Sequence, residues 1–336
     1  MSGLRVRKPT GKTAWPLILV EGEEKAGKSF AAYSLSASEQ VGRTFVVDLG
    51  EGTADEYGSL GPFEVVEHNG TFTTILDQMR AAAAVPAVDD RPNVIVLDDA
   101  TALWDLLKDW AMRRARDSRA GRRTLAADPD AEIAPTMNLW NDAKDRWQRI
   151  VDLLRFFPGV AVVCARGREV AKVVDGQPVI GETVWRVDAE KNLAFDCSAW
   201  VRMTRPHQAT LIAVRSLTVD VPASGIVLPA NAPLEHLVFD LLAGEGFERS
   251  RRIVGRVGVD RAAAKSRLLE LVAAGGVEGE AGKEIARSVW PADDPAELTD
   301  EEYARVAEAA RGKLAELAGG RPFTDDTDDT DGKVAG

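Results

Sequence analysis

Short, wholly apolar runs recur along the first two thirds of the chain: LILV at 17–20, FVV at 45–47, VIVL at 94–97 and VAVV at 160–163. Each is set off from the next by a segment with helical spacing. Runs this short and uniform predict strands buried on both faces, and their alternation with helices predicts a mostly parallel α/β sheet covered on both sides. PFEVVEH predicts a further short strand and TFTTILDQMRAAAA a helix. SAWVRMTRP and ATLIAVRSLTVDVP read as two consecutive strands joined by a short turn, an antiparallel addition at the sheet edge.

Beyond about Pro229 the strand signals stop. LEHLVFDLLAG, RAAAKSRLLELVAAGG and TDEEYARVAEAARGKLAELAGG carry helical periodicity, the last opening on Thr299 and Glu302 in capping-box spacing. RPFTDDTDDTDGKVAG is polar and acidic, with too little apolar surface to fold. The expected organisation is an α/β core over 1–228, a small helical domain over 229–320 and a disordered acidic tail over 321–336.

Composition refines this picture only slightly. A chain of 336 residues with 45% hydrophobic and 28% charged residues is an ordinary soluble globular protein. The net charge of −11 argues against a surface that attracts nucleic acid everywhere, but leaves room for a local basic groove. Cys164 and Cys197 lie in apolar surroundings without a CxxC or Cys/His partner, so they read as buried free thiols. The LILV run that follows Arg5, Arg7 and Lys8 is too short for a signal-peptide core or a membrane span. A cytoplasmic protein without a membrane partner is expected.

The chemistry starts at GEEKAGKS, between the first buried strand and the first helix. Gly22 and Gly27 allow successive amides to face phosphates, across Glu23, Glu24, Lys25 and Ala26. Lys28 then reaches the β- and γ-phosphates, Ser29 ligates Mg²⁺, and Phe30 continues the helix whose positive end faces the anion. The strand before and the helix after are the context this motif requires, so ATP and Mg²⁺ are the expected ligands. Asp98, at the end of VIVLDD, suits the Mg²⁺ shell; Asp99 can take that place or cap the next helix. Glu51 after VVDLG can activate water or be a solvated turn carboxylate, and Glu23 and Glu24 read as solvent-facing.

These elements, in this order, resemble the RecA-type recombinase core, specifically the compact phage-encoded RecA-like ATPases of single-strand annealing and recombination. The resemblance covers about residues 13–225. It implies that Glu51 is the catalytic glutamate and that Tyr57 lies against the adenine. VAVVCAR matches the strand ending in a γ-phosphate sensor, usually glutamine or histidine; this chain has Arg166 there. The segment from Gly167 to about Lys191 matches a mobile DNA-binding loop. AVRS matches a late strand that offers a basic residue, here Arg215, to a neighbouring subunit's nucleotide; a surface salt bridge is the plainer alternative.

RRARDSRAGRR carries six arginines, Arg113, Arg114, Arg116, Arg119, Arg122 and Arg123, against one aspartate. It reads as a loop ordered by DNA phosphates, or as a solvated charged helix. Arg168, Lys172 and Arg186 add charge on the second loop, and Trp185 a stacking platform. The acidic tail can compete with DNA for this groove or serve solubility alone. Together these features lead to the expectation of a DNA-stimulated ATPase that binds single-stranded DNA as a filament or ring and promotes annealing or strand exchange. A single-strand-binding protein or an exonuclease is the further partner the resemblance suggests. A helicase-like or loader motor, and an ATP-gated interaction module with negligible turnover, are the alternatives.

Overall fold

A computed structural model describes residues 4, 6 and 8–248, apart from 51, 175, 244 and 245. In chain order the strands are β1 (Thr13–Ala14), β2 (Leu17–Gly22), β3 (Thr44–Asp48), β4 (Phe63–Val65), β5 (Asn93–Asp98), β6 (Gly159–Val174), β7 (Gln177–Asp188), β8 (Ala199–Arg205), β9 (Gln208–Val214), β10 (Ile226–Val227) and β11 (Phe247–Glu248). The longer helices are α1 (Lys28–Ser34), α2 (Phe72–Ala84), α3 (Ala100–Asp117), α4 (Arg119–Ala127) and α5 (Met137–Arg155).

The main sheet runs β10-β9-β8-β2-β6-β5-β3-β4, with β7 paired to β6 alone. From β8 to β4 every pairing is parallel; β9 and β10 add an antiparallel edge, and β1 pairs separately with β11. The loop-bearing strand β2 is thus central, with β6 between it and β5. SAWVRM was expected in the antiparallel addition; it is instead a parallel core strand, and only the strand after it reverses.

Alternation along the strands divides the core into two layers. Leu17, Leu19, Ile95, Leu97, Ala161 and Val163 face α2, α3 and α5, where Ile75, Leu107 and Ile150 meet them. Ile18, Val20, Val94, Val96, Val160 and Val162 face the other way, against Ala31, Ala32 and Tyr33 of α1. Leu234, Leu237, Val238 and Leu242 join that second layer, so the core continues past Pro229 rather than ending at 228. The predicted helices after 248 and the acidic tail lie outside the described residues.

Two expected loops are regular structure. The arginine-rich stretch forms the end of α3 and most of α4. Arginine is a good helix former, Ala111 and Ala115 bury the inner face, and Ser118 caps α4 by accepting from the Gly121 amide at 3.0 Å. Gly121 fits this corner because a Cβ there would fall 2.2 Å from the Ala115 carbonyl oxygen. The segment after Gly167 is a β-hairpin, paired from Arg166↔Asp188 to Val174↔Gln177 with a shift of register between Ala171 and Val173. Among the described residues no helix is long and apolar enough to cross a membrane. Cys164 and Cys197 are both free thiols, Cys164 buried and Cys197 partly so.

Candidate nucleotide site and nucleic-acid face

All six residues of β2 are buried, which fixes where the following loop begins. Gly22 passes so close to β8 that a Cβ would sit 1.8 Å from the Met203 carbonyl oxygen. Glu23 ties the loop to that same carbonyl through its amide, at 3.1 Å. Gly27 is left-handed, φ 95°, and begins α1 without a side-chain cap, so the first helical amides keep their capacity for an anion. The Lys28 ammonium donates to the carbonyls of Gly22 at 3.1 Å and Glu23 at 2.7 Å. It is therefore folded over the loop where phosphate oxygens would replace those carbonyls. Glu23, Glu24 and Lys25 are exposed and Ala26 is buried.

Asp98 ends β5 directly beside Asp48 of β3. Burial pushes its carboxyl above the ordinary range, hydrogen bonds from Ser29 and Tyr33 oppose that, and the nearby Asp99 and Asp48 carboxylates add to it. The Tyr33 hydroxyl donates to Asp98 Oδ2 at 2.8 Å, and its own ionisation is pushed up by burial and by that carboxylate. Ser29 and Tyr33 are one helical turn apart, so one face of α1 addresses this aspartate. A hydroxyl and a carboxylate beside a phosphate loop are hard oxygen donors and fit Mg²⁺. Among the described residues no three His, Cys, Asp or Glu side chains cluster as a metal site of their own. Phosphate and water oxygens would complete the shell.

Asp99 takes the capping alternative. It accepts from the Ala102 amide at 2.6 Å to begin α3, and its other oxygen accepts from Arg166 Nε at 3.3 Å. Arg166 stands opposite Gly22 in the β2–β6 register, so its guanidinium is beside the loop and held by a neutralising partner. Tyr57 packs edge-on against Tyr33, centroids 5.7 Å apart, which places it on the α1 side of the site. Glu51 lies outside the described residues; the Asp48 carboxylate accepts from the amides of Gly50 and Ala54.

Two neighbours of the loop escaped sequence reasoning. The β8–β9 turn lies against it: the His207 amide donates to Ala26 at 3.2 Å, and the His207 ring meets Phe30 edge-on at 4.5 Å. Nothing in the local sequence announces this contact. The other is Glu21, wholly buried and accepting from Trp185, Trp200 and Arg202. A charged residue inside an apolar run was its one visible signal.

The arginines at 113, 114, 116, 119, 122 and 123 are all exposed, and among the described residues none has an ion pair. The hairpin cations differ. Lys172 is paired with Glu182 at 2.7 Å and Arg168 more loosely with Asp188 at 3.9 Å, while Arg186 is exposed. Trp185 has one ring face under the Arg202 guanidinium, 4.4 Å away. Arg215 is exposed, and its amide bonds Ser198, which in turn contacts Leu17. It therefore lies at the start of β2, the opposite end from Lys28.

A family model described as "AAA domain" matches residues 16–206. No curated protein matches the chain. Among solved structures it is similar to one described as "Crystal structure of the RadB recombinase", with 17% identity over 66% of this chain and 91% of that one, TM-score 0.35. It is also similar to a "prototypical ATPase from the type III secretion system of pathogenic bacteria", with 12% identity over 90% and 81%, TM-score 0.32. Likenesses this remote add nothing to the fold, which rests on the strand order.

Proposed function

The chain belongs to the AAA domain family, and from that premise we propose that it is an ATPase that grips single-stranded DNA as a filament or ring and promotes annealing or strand exchange. The loop amides and Lys28 bind the triphosphate of the substrate, and Ser29 and Asp98 hold Mg²⁺ against it. Mg²⁺ held there would supply charge neutralisation to the β- and γ-phosphate groups. Arg166, paired with Asp99, is the candidate to sense the γ-phosphate, Tyr57 the candidate to meet the base, and Glu51 the candidate to orient water. Arg215, remote from its own loop, is the candidate to complete a neighbour's site. Any exonuclease or single-strand-binding partner would act on the DNA that the assembly holds.

The observation that supports the nucleic-acid part of this reading is the set of exposed arginines that have no ion pair among the described residues. α3 is capped by Asp99, beside the site, its last turns carry Arg113, Arg114 and Arg116, and α4 carries the other three. A dense run of exposed guanidinium groups on an otherwise acidic protein is suited to a polyanion. Fluorescence anisotropy with labelled single-stranded DNA tests it. Tight binding with a non-hydrolysable ATP analogue, and weak binding without, is the expected result. No binding in either condition would remove DNA from the account. Directional unwinding of a duplex would instead favour a motor.

A further inference from the structure

Glu21 is a carboxylate with 0% exposure in the middle of the main sheet. A charge that deep persists only when its lone pairs are met by donors. Its two oxygens are met from different elements. Oε1 accepts from Trp200 Nε1 at 2.9 Å and Arg202 Nε at 2.7 Å, both on β8. Oε2 accepts from Trp185 Nε1 at 2.6 Å, on β7. The Arg202 guanidinium lies over both rings, 4.4 Å from the Trp185 centroid and 5.3 Å from that of Trp200.

The position of this cluster matters more than its strength. β6 pairs with β2 up to Arg166 opposite Gly22, and beyond that point only with β7. The hairpin therefore leaves the sheet beside Glu21. Gly167 marks the exit: a Cβ there would fall 2.1 Å from Glu21 Oε2 and 2.8 Å from the Trp185 ring. On its other side Glu21 is joined to Gly22, whose carbonyl accepts from Lys28. An anion that draws Lys28 from that carbonyl changes the hydrogen bonding of the Gly22–Glu23 peptide, one residue along the chain from Glu21.

We propose that Glu21 is a positioning residue that transmits the state of the phosphate loop to the β6–β7 hairpin through its bond to Trp185. The inference rests on the reading of Gly22–Ser29 as a nucleotide site. It does not require that the hairpin touch DNA. A bond that only stabilised the fold would be indifferent to nucleotide, so the discriminating quantity is a nucleotide-dependent change.

Hydrogen exchange on the full chain, with and without a non-hydrolysable ATP analogue and Mg²⁺, measures it. In the wild type, amides over 22–29 and over 167–188 should both slow on binding. In Trp185→Phe, which keeps a ring beneath Arg202 and removes the N–H, the loop should still slow while the hairpin response shrinks by about tenfold, the worth of one hydrogen bond to a charged acceptor. Glu21→Gln, which keeps the shape and loses an acceptor, is read in the same way if Trp185→Phe does not fold. The proposal is overturned if the hairpin responds equally in the variant, or ignores the analogue in the wild type while the loop is protected. If the loop itself does not respond, the nucleotide reading falls and this inference with it.

Discussion

Asp98 is held where a carboxylate is useful to a metal and unhelpful to the fold. Burial raises its value, so folding disfavours the charged form relative to the unfolded chain. Its contribution to stability is present below the ordinary carboxylate range and is lost as pH rises through the raised value. At neutral pH, Asp98→Asn should therefore raise the melting temperature while removing Mg²⁺-dependent ATP turnover; calorimetry and a phosphate-release assay check the two halves. Lys28→Ala should leave the fold intact and abolish turnover, since the ammonium supplies the main charge on the β/γ-phosphates. Gly22→Ala is a different kind of change. Its Cβ meets a backbone oxygen, not a movable side chain, so it should cost about 1–3 kcal/mol or prevent folding, as urea denaturation would show.

Among the elements, the buried strands were the most legible because four apolar residues between helical segments have few other readings. The parallel sheet, the loop at Gly22–Ser29 and the acid at the end of VIVLDD all followed from that pattern. Asp99 stayed ambiguous because capping and metal binding ask for the same residue type; only the Ala102 amide decides it. The arginine stretch left a loop and a charged helix both open because charge density suggests disorder, and Ala111 and Ala115 decide for the helix by giving it a buried face. Glu21 and His207 were hidden because their partners are remote in sequence, 164 residues away for Trp185. The helical arginines carry their own prediction. Replacing Arg113, Arg114, Arg122 and Arg123 with alanine should weaken single-stranded DNA binding and flatten the log–log salt slope by about 0.7 per lost phosphate contact. An unchanged slope would make α3–α4 a merely solvated face.

For the whole molecule, the account joins an ATP site at one end of the sheet to an arginine, Arg215, at the other end. The sheet separates the two within one chain, so the proposed role of Arg215 requires a neighbouring subunit. Arg215→Ala should keep nucleotide binding and lose DNA-stimulated turnover, by ~10³-fold where the guanidinium stabilises the transition state. Mixed with Lys28→Ala, it should regain activity that neither variant has alone, because some interfaces then pair an intact loop with an intact Arg215. Persistent inactivity in a demonstrated co-assembly would remove Arg215 from the mechanism. The central claim, that this is an ATPase governed by single-stranded DNA, is tested most directly by steady-state ATP turnover of the wild-type chain with and without that DNA, using Lys28→Ala as the baseline. The account predicts turnover above the Lys28→Ala baseline that rises when single-stranded DNA is added. Tight ATP binding with turnover at the baseline in both conditions would contradict it, and would point to a nucleotide-gated interaction module instead.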